Sequence, residues 1–372
     1  MSEALVVGGG PAGAAVAIAL AQAGRQVVLV EKEAAAHHKV CGEFLSAEAL
    51  GYLQDLDVDA AALDAVPIDA VRMVRGQHVT QRALPFTAMS LSRHRLDAAL
   101  LERAVDAGVC VMRGARVAAL ARQGDGWSAR LANEHTLAAK NVFLCTGKHD
   151  LRDWRRPAGN HGDLIAFKMH WRLAEKQQAA LGRCVELTLF AGGYGGMEPV
   201  EEGIANLCVL VRRARLAQLG GWDELLAAIR SECAPLDERL RGAVALWPRP
   251  LALSAIPYGY VCAQADGVWR LGDQAAVIPS FSGDGMSIAL HSAQLAAKIF
   301  LAGGSAASFQ QRMRKDVAHQ VAFATAISKL LLATPAAVMA AIRLWPGAVR
   351  LAAVLTRVRA AGVRRCSAQS SH

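Results

Sequence analysis

The sequence predicts an α/β chain in which a Rossmann-like dinucleotide-binding unit is interrupted by an antiparallel β unit and followed by helices. Three observations carry this reading. A glycine-rich turn joins an apolar strand to a helix at the amino terminus, a second opens a helix near residue 285, and strand-like runs separated by turns fill 161–213. The 372 residues can bury a large core and suggest roughly two or three lobes.

Leu5, Val6 and Val7 form the first strand, followed by Gly8-Gly9-Gly10-Pro11-Ala12-Gly13, a helix to about Ala23, and a second strand from Gln26 to Val30 that ends in Glu31. Gly8 permits the tight turn, Gly10 lets backbone approach a pyrophosphate, and Gly13 lets helix and strand pack without a side chain between them. The helix start offers free N–H groups and a positive dipole end to phosphates, framed by Pro11 and Ala12. Glu31, followed by Lys32, is placed to accept from ribose hydroxyls and would repel a 2′-phosphate. The apolar run resembles a targeting segment in length alone. Glu3 stands where a signal wants positive charge, and Gly-Gly-Gly-Pro interrupts the apolar stretch, so a targeting role is not expected.

The turn alone does not separate FAD from NAD. Residues 271–299 do: Gly272-Asp273 follows an apolar run, Pro279 lies in the next loop, and Gly283-Asp284-Gly285-Met286 opens a helix. An acid after a strand suits the hydroxyls of a ribityl chain, and a helix start suits the negative charge of a reduced flavin ring.

On these motifs the chain resembles the FAD-dependent aromatic hydroxylase and geranylgeranyl reductase superfamily over roughly residues 1–310. Four further stretches match in the family's order. "HKVCGEFLS", 38–46, stands where the family places a loop over the flavin, with Lys39, Cys41 and Gly42. "LSRHRLDAALLERA", 91–104, matches the RxxLDxxL helix and implies that Arg93 faces the cofactor. "GARVAAL", 114–120, implies that Val117 lies by the adenine, and "VFLCTG", 142–147, places Thr146 and Gly147 near the adenosine half. The resemblance implies a glutathione-reductase-type FAD-binding domain over 1–75, 91–160 and 258–310, an antiparallel substrate domain over 76–90 and 161–257, and a helical region over 311–372. No second GxGxxG is present, so NAD(P)H is expected as a transient reductant, or another protein supplies electrons.

On the substrate side, the glycines around Tyr194 would let backbone approach the flavin or substrate, and Met197, Glu198 and Glu201 border the same turn. Glu198 reads either as a solvated carboxylate or as a general base. His170 reads first as a core histidine and second as a site residue. Cys41 has the best case for a catalytic role through its flavin loop; its alternative is a small buried hydrophobe. No nucleophile triad or metal cluster is expected.

The eight cysteines include no CxxC pair, and a reducing, cytoplasmic setting is expected. The net charge of +9 is concentrated toward the end, where Arg343, Arg350, Arg357, Arg359, Arg364 and Arg365 recur among apolar residues with no acid. Peripheral contact with an anionic membrane face, or with an acidic protein, is expected there; ordinary packing on the FAD domain is the rival. No nucleic-acid partner is expected, and Leu330 to Ile342, the longest uncharged run here, is too short to span a bilayer.

Three reactions fit. The first is hydroxylation of a hydrophobic aromatic or polyketide-derived molecule through a flavin C4a-hydroperoxide, in which the protein supplies orientation and a dry pocket. The second is saturation of prenyl double bonds, which Cys41-Gly42 and the basic tail favour, although the reductases' YxWxFP stretch is replaced by "GGYGGMEPVEEG". The third is oxidation of a side chain on a partner protein. A halogenase is excluded, because its WxWxIP signature is missing and the seven tryptophans never fall two apart.

Overall fold

The computed structural model describes residues 1–157, 159, 162–345 and 347–357, with the side chains of 348–350 also outside the description. The expected basic residues Arg359, Arg364 and Arg365, and the Arg350 side chain, therefore lie outside the described part of the chain.

The described strands are β1 (Ser2–Val7), β2 (Val27–Glu31), β3 (Phe44–Leu45), β4 (Val66–Arg75), β5 (His78–Ser90), β6 (Cys110–Arg113), β7 (Val117–Gln123), β8 (Gly126–Leu131), β9 (Thr136–Leu144), β10 (Leu164–Arg172), β11 (Cys184–Phe190), β12 (Gly193–Val200), β13 (Ile204–Arg212), β14 (Val244–Ala245), β15 (Leu251–Ser254) and β16 (Trp269–Arg270). The helices are α1 (Pro11–Gln22), α2 (Ala47–Gln54), α3 (Arg93–Asp106), α4 (Glu175–Leu181), α5 (Arg213–Leu219), α6 (Trp222–Glu232), α7 (Ala234–Arg239), α8 (Gly285–Leu301), α9 (Ala306–Ala333), α10 (Pro335–Leu344) and α11 (Gly347–Leu355).

The first sheet runs β6-β2-β1-β9-β8-β7, with β16 beside β9. Its β1, β2, β6, β9 and β16 pair in parallel, as crossover connections require, and Val6 pairs with Leu29 on one side and Phe143 on the other. Helix α1 has no polar face: Ala14, Val16, Ala17, Ile18 and Leu20 are all fully buried or nearly so, because α3 and α8 pack on it as well as the sheet. That burial holds the α1 N-terminus rigidly at the carboxyl edge of β1.

The second sheet runs β14-β10-β13-β12-β11-β4-β5-β3, with β15 beside β10. Here one expectation is corrected. The segment 66–75, assigned from sequence to the FAD-binding unit, is β4 of this sheet, because it forms one hairpin with β5 through the left-handed Gly76 and pairs on its other edge with β11. A boundary between 75 and 76 would divide that hairpin between two sheets. The two faces of the second sheet differ. Phe167, Met197, Leu207, Val209 and Val211 on one face pack under α6 and α7, through Leu225, Leu226, Ile229 and Leu236. The other face looks into the cavity described below.

Helix α9 ties the two units together. Its first half buries Phe309, Met313, Val317 and Val321 in the core beneath the first sheet. Its last turns place Leu331 and Leu332, with Met339 and Ile342 of α10, against Tyr194 and Leu210 of the second sheet. No single described helix is long and apolar enough to cross a membrane; α9 and α10 reach that length and composition only together, across a bend of 111°.

Candidate functional site

One cavity of about 1390 Å³ runs from the α1 N-terminus, past the loop 37–44, to the underside of α9, α10 and α11. Its nucleotide end is built by backbone. Gly8 has φ +106°, and a Cβ there would stand 2.4 Å from the Cys145 carbonyl oxygen. At Gly13 a Cβ would stand 1.9 Å from the Gly8 oxygen, so Gly13 is a packing glycine behind the cavity wall. Gly10 caps α1 with extended backbone and faces the cavity; the nearest atom to a Cβ there is Arg93 Nη2 at 3.4 Å. Pro11 and Ala12 continue the same wall.

Glu31 ends β2 and is buried. Its two carboxylate oxygens accept from the Gly9 N–H at 2.6 Å and the Glu33 N–H at 3.0 Å, and no described cation pairs with it. The carboxylate is thus held in place by backbone with lone pairs to spare for sugar hydroxyls. Lys32, Val117, Thr146 and Gly147 line this end too, and Thr146 donates to the His149 carbonyl at 2.6 Å. Arg93 and Lys39 line the wall without being free charges, because both bind Asp97 at 2.8 Å. Burial alone would raise the Asp97 carboxyl, but the two cations more than offset this and hold it below the usual range. A cradle that a Cβ would fill, a fixed buried acid and the open start of a helix together fit a dinucleotide.

At the other end of the dinucleotide path, Gly272 has φ +59°, and Asp273 lies beside Gly147 with Lys148 Nζ at 3.4 Å. The left-handed Gly283 packs on Phe44, and Gly285 and Met286 begin α8 at the cavity. Two expected cofactor residues are not on the wall. Pro279 lies behind it, its carbonyl accepting from the Ser282 hydroxyl at 2.9 Å. Asp284 is the N-cap of α8, but its carboxylate is buried near Arg357 and Glu48 and has no hydrogen-bond partner among the described residues; burial pushes its pKa up to about 7, offset in part by Arg357.

The cavity face of the second sheet has polar and apolar rows set by strand register. Lys168 pairs with Cys208 and Cys208 with Gly196, while Ala166 pairs with Leu210 and Leu210 with Tyr194. Beyond them lies the row His170, Asn206 and Glu198, neighbours on β10, β13 and β12. Directly paired residues share a face, so these rows stand side by side. Glu43 meets them from the loop. It sits at φ +56°, fully buried, accepting from the Arg93 N–H at 2.7 Å, from Lys168 Nζ and from His170 Nε2 at 2.9 Å. Burial would raise the Glu43 carboxyl, yet Lys168 and His170 bring it below the usual carboxylate value.

His170 does not line the cavity: it is spent on Glu43 and on a stack with Trp247, ring centroids 4.8 Å apart. Its catalytic assignment is corrected in favour of the core histidine. With His38 the pair brings three ligand-type atoms within 4.8 Å of one another, but Lys168 already balances Glu43, leaving a cation no net negative charge to bind. Glu198 does line the cavity, and it is buried in β12 instead of solvated at a turn. Burial, aided by nearby Glu43, pushes its pKa up to about 8 although Asn206 Nδ2 donates to it at 2.6 Å. Its surroundings thus favour the protonated form. Cys41 lines the wall with Gly42; its sulfur accepts from the Glu43 N–H at 3.3 Å and its carbonyl accepts from Asn206 Nδ2 at 3.1 Å. Tyr194 lines the wall further along, its phenol pushed up to about 12 by burial.

Residues 1–151 match the family model described as FAD binding domain. Menaquinone reductase of Mycolicibacterium smegmatis is 27% identical over 324 residues, covering 82% of this chain and 77% of its own. The protein of the same name from Mycobacterium tuberculosis is 24% identical over 330 residues, covering 80% and 76%. The chain is an FAD-dependent oxidoreductase. Among solved structures, the flavin-dependent brominase Bmp2 superposes with a TM-score of 0.79 at 17% identity, over 95% of this flavoprotein and 93% of its own chain. The myxobacterial chondrochloren halogenase CndH gives 0.75 at 20% identity, over 96% and 91%. At these identities the structural matches establish the shared fold of the flavoprotein and leave its reaction to its own residues.

Sequence reasoning missed Glu43, Lys168, Asn206 and the cavity wall supplied by α9 to α11. Lys168 and His170 did carry a signal: two charged or polar residues spaced by two in an otherwise apolar strand share one face. Glu43 carried none, since its partners are 125 and 127 residues away.

Proposed function

We propose that this flavoprotein saturates an isolated carbon–carbon double bond in the prenyl chain of a lipid. The observation that carries the reading is the placement of Glu198: a carboxyl buried in the cavity wall, held by Asn206 beside the Cys41 loop that borders the α8 start, where burial favours its protonated form. Saturation adds a hydride and a proton across the bond. Reduced FAD supplies the hydride when bound, and Glu198 supplies the proton, becoming a carboxylate that solvent recharges. Asn206 orients the acid, and the Glu43–Lys168–His170 cluster fixes the loop that carries Cys41. The names of the relatives matched over most of the chain support a prenyl quinone as the lipid, and NAD(P)H or another two-electron donor restores the reduced flavin.

The far half of the cavity suits such a chain. Val71, Met73, Leu187, Leu189, Ile327 and Ile342 line it, and the exposed Trp345, just after α10, and Leu351, on α11, also line the cavity. Leu344, Val354 and Leu355 extend the exposed apolar patch, and no acidic residue follows Asp316. An anionic bilayer is the partner this patch fits, delivering lipid directly to the cavity.

Hydroxylation remains the second reading, because a dry apolar chamber would also shield oxygen chemistry from water. One experiment separates the two. Enzyme reduced without oxygen and mixed with a prenyl quinone should return oxidised flavin and a lipid that, after its ring is reoxidised in air, is still heavier by two hydrogens in the chain; product formed only in air and carrying an added oxygen would reverse the choice.

A further inference from the structure

Helix α11 covers the cavity on one side without belonging to a core. It packs on β5 and α10, and Leu351, Ala352 and Ala353 of α11, with Thr356 just after it, line the cavity. Among the described residues α11 adds no side chain to the buried apolar clusters, whereas α10 adds Met339 and Ile342. Val354 and Leu355 are exposed, so the side chains that α11 turns to the cavity are mostly small. Little apolar surface holds this helix down.

What does hold it is polar and sits at its end. Arg357 Nη1 reaches Glu48 Oε2 on α2 at 2.7 Å, and its guanidinium carbon lies 3.3 Å from the centre of the Phe86 ring on β5. Glu48 Oε2 also accepts from the Ser46 hydroxyl at 3.0 Å, and the Ser46 and Ser287 hydroxyls lie 2.6 Å apart. The buried Asp284 carboxylate is a second acid near the same guanidinium. One cation thus ties the chain after α11 to the first turns of α2 and α8. The pair is mostly shielded from solvent, with side-chain exposures of 11% and 22%, so salt and water weaken it less than a surface pair.

We propose that α11 is a lid over the apolar half of the cavity and that the Arg357–Glu48 ion pair is its latch. With the pair formed, the helix lies across β5 and closes that half; with the pair broken, small side chains alone oppose its lifting. FAD, when bound, fills the nucleotide end, so the side that α11 covers is the way in for an apolar ligand. The lid goes beyond the prenyl-lipid reading and does not rest on it, because it gates any apolar molecule whatever the reaction.

The test uses the full FAD-loaded chain and Nile red as the apolar ligand. Amide hydrogen exchange of residues 351–356 should be about tenfold faster in Arg357→Gln than in the wild type, as loss of one charge-assisted pair predicts, with exchange in α1 and α10 unchanged. Stopped-flow fluorescence should show the dye entering and leaving faster by a similar factor with little change in affinity, since a latch sets how often the cavity opens and not the shape it closes to. Glu48→Ala breaks the same pair from the other side and should act alike, and the double variant should be no faster than either single one. Unchanged exchange, unchanged dye entry, or effects that add in the double variant would overturn the latch. So would a fall in affinity without faster entry, which marks damage to the cavity wall. Should Arg357→Gln lose FAD, Glu48→Ala decides by itself.

Discussion

The two ends of the cavity are built in opposite ways. At the nucleotide end the contacts are made largely by backbone: Gly8 to Gly13, Glu31 fixed by the N–H groups of Gly9 and Glu33, and the start of α1 where it opens onto the cavity. At the substrate end they are made by side chains drawn from a loop and three strands, where Glu43, Lys168, Asn206 and Glu198 depend on register and burial. The first end recognises a shape that glycine and helix geometry impose. The second sets protonation states, which only the assembled low-dielectric interior can do.

Substitutions at the two ends should therefore fail differently. The largest effect is expected from Gly10→Val: nothing but the tip of Arg93 meets a Cβ there, so the apoprotein should fold, yet flavin retention should be abolished because the side chain enters the pyrophosphate path. Absorbance of the purified variant near the flavin bands checks it, with circular dichroism confirming the fold; a normal yellow protein would refute the placement.

Next is Glu43→Ala, which leaves Lys168 and His170 buried without their partner. Removing one side of a buried ion pair costs about 3–5 kcal/mol, and a clear fall in melting temperature is expected. Glu31→Ala should be milder, weakening FAD affinity by about 1–3 kcal/mol for one lost charged acceptor, read by flavin titration of the apoprotein. The smallest effect is expected at the exposed apolar patch. Replacing Trp345 and Leu351 with serine should reduce cosedimentation with vesicles containing anionic lipid and leave flavin content unchanged.

The same contrast explains what the sequence revealed. Gly8, Gly10, Glu31, Gly272, Asp273 and Gly285, which backbone geometry and chain-local spacing single out in the sequence, all lie on the cavity wall. Glu198 was legible as a residue but not as an acid, since its raised pKa comes from strands and a loop folding over it. His170 and Asp284 were misplaced for a related reason: a polar side chain in an apolar stretch announces burial without saying which neighbour it serves. The β4–β5 hairpin was divided because the family's order of motifs does not reveal which sheet an intervening strand joins.

The claim on which the functional reading depends is that Glu198 gives up its proton to the substrate. It is tested most directly by the pH dependence of a single turnover, following flavin reoxidation by a prenyl quinone without oxygen. In the wild type the rate should be level below about pH 8 and fall above it with a single-proton slope, as Glu198 loses the proton it must donate. Glu198→Gln should be slower by about two to four orders of magnitude and lose that pH dependence, with FAD content unchanged. A rate indifferent both to pH and to the substitution would contradict the account.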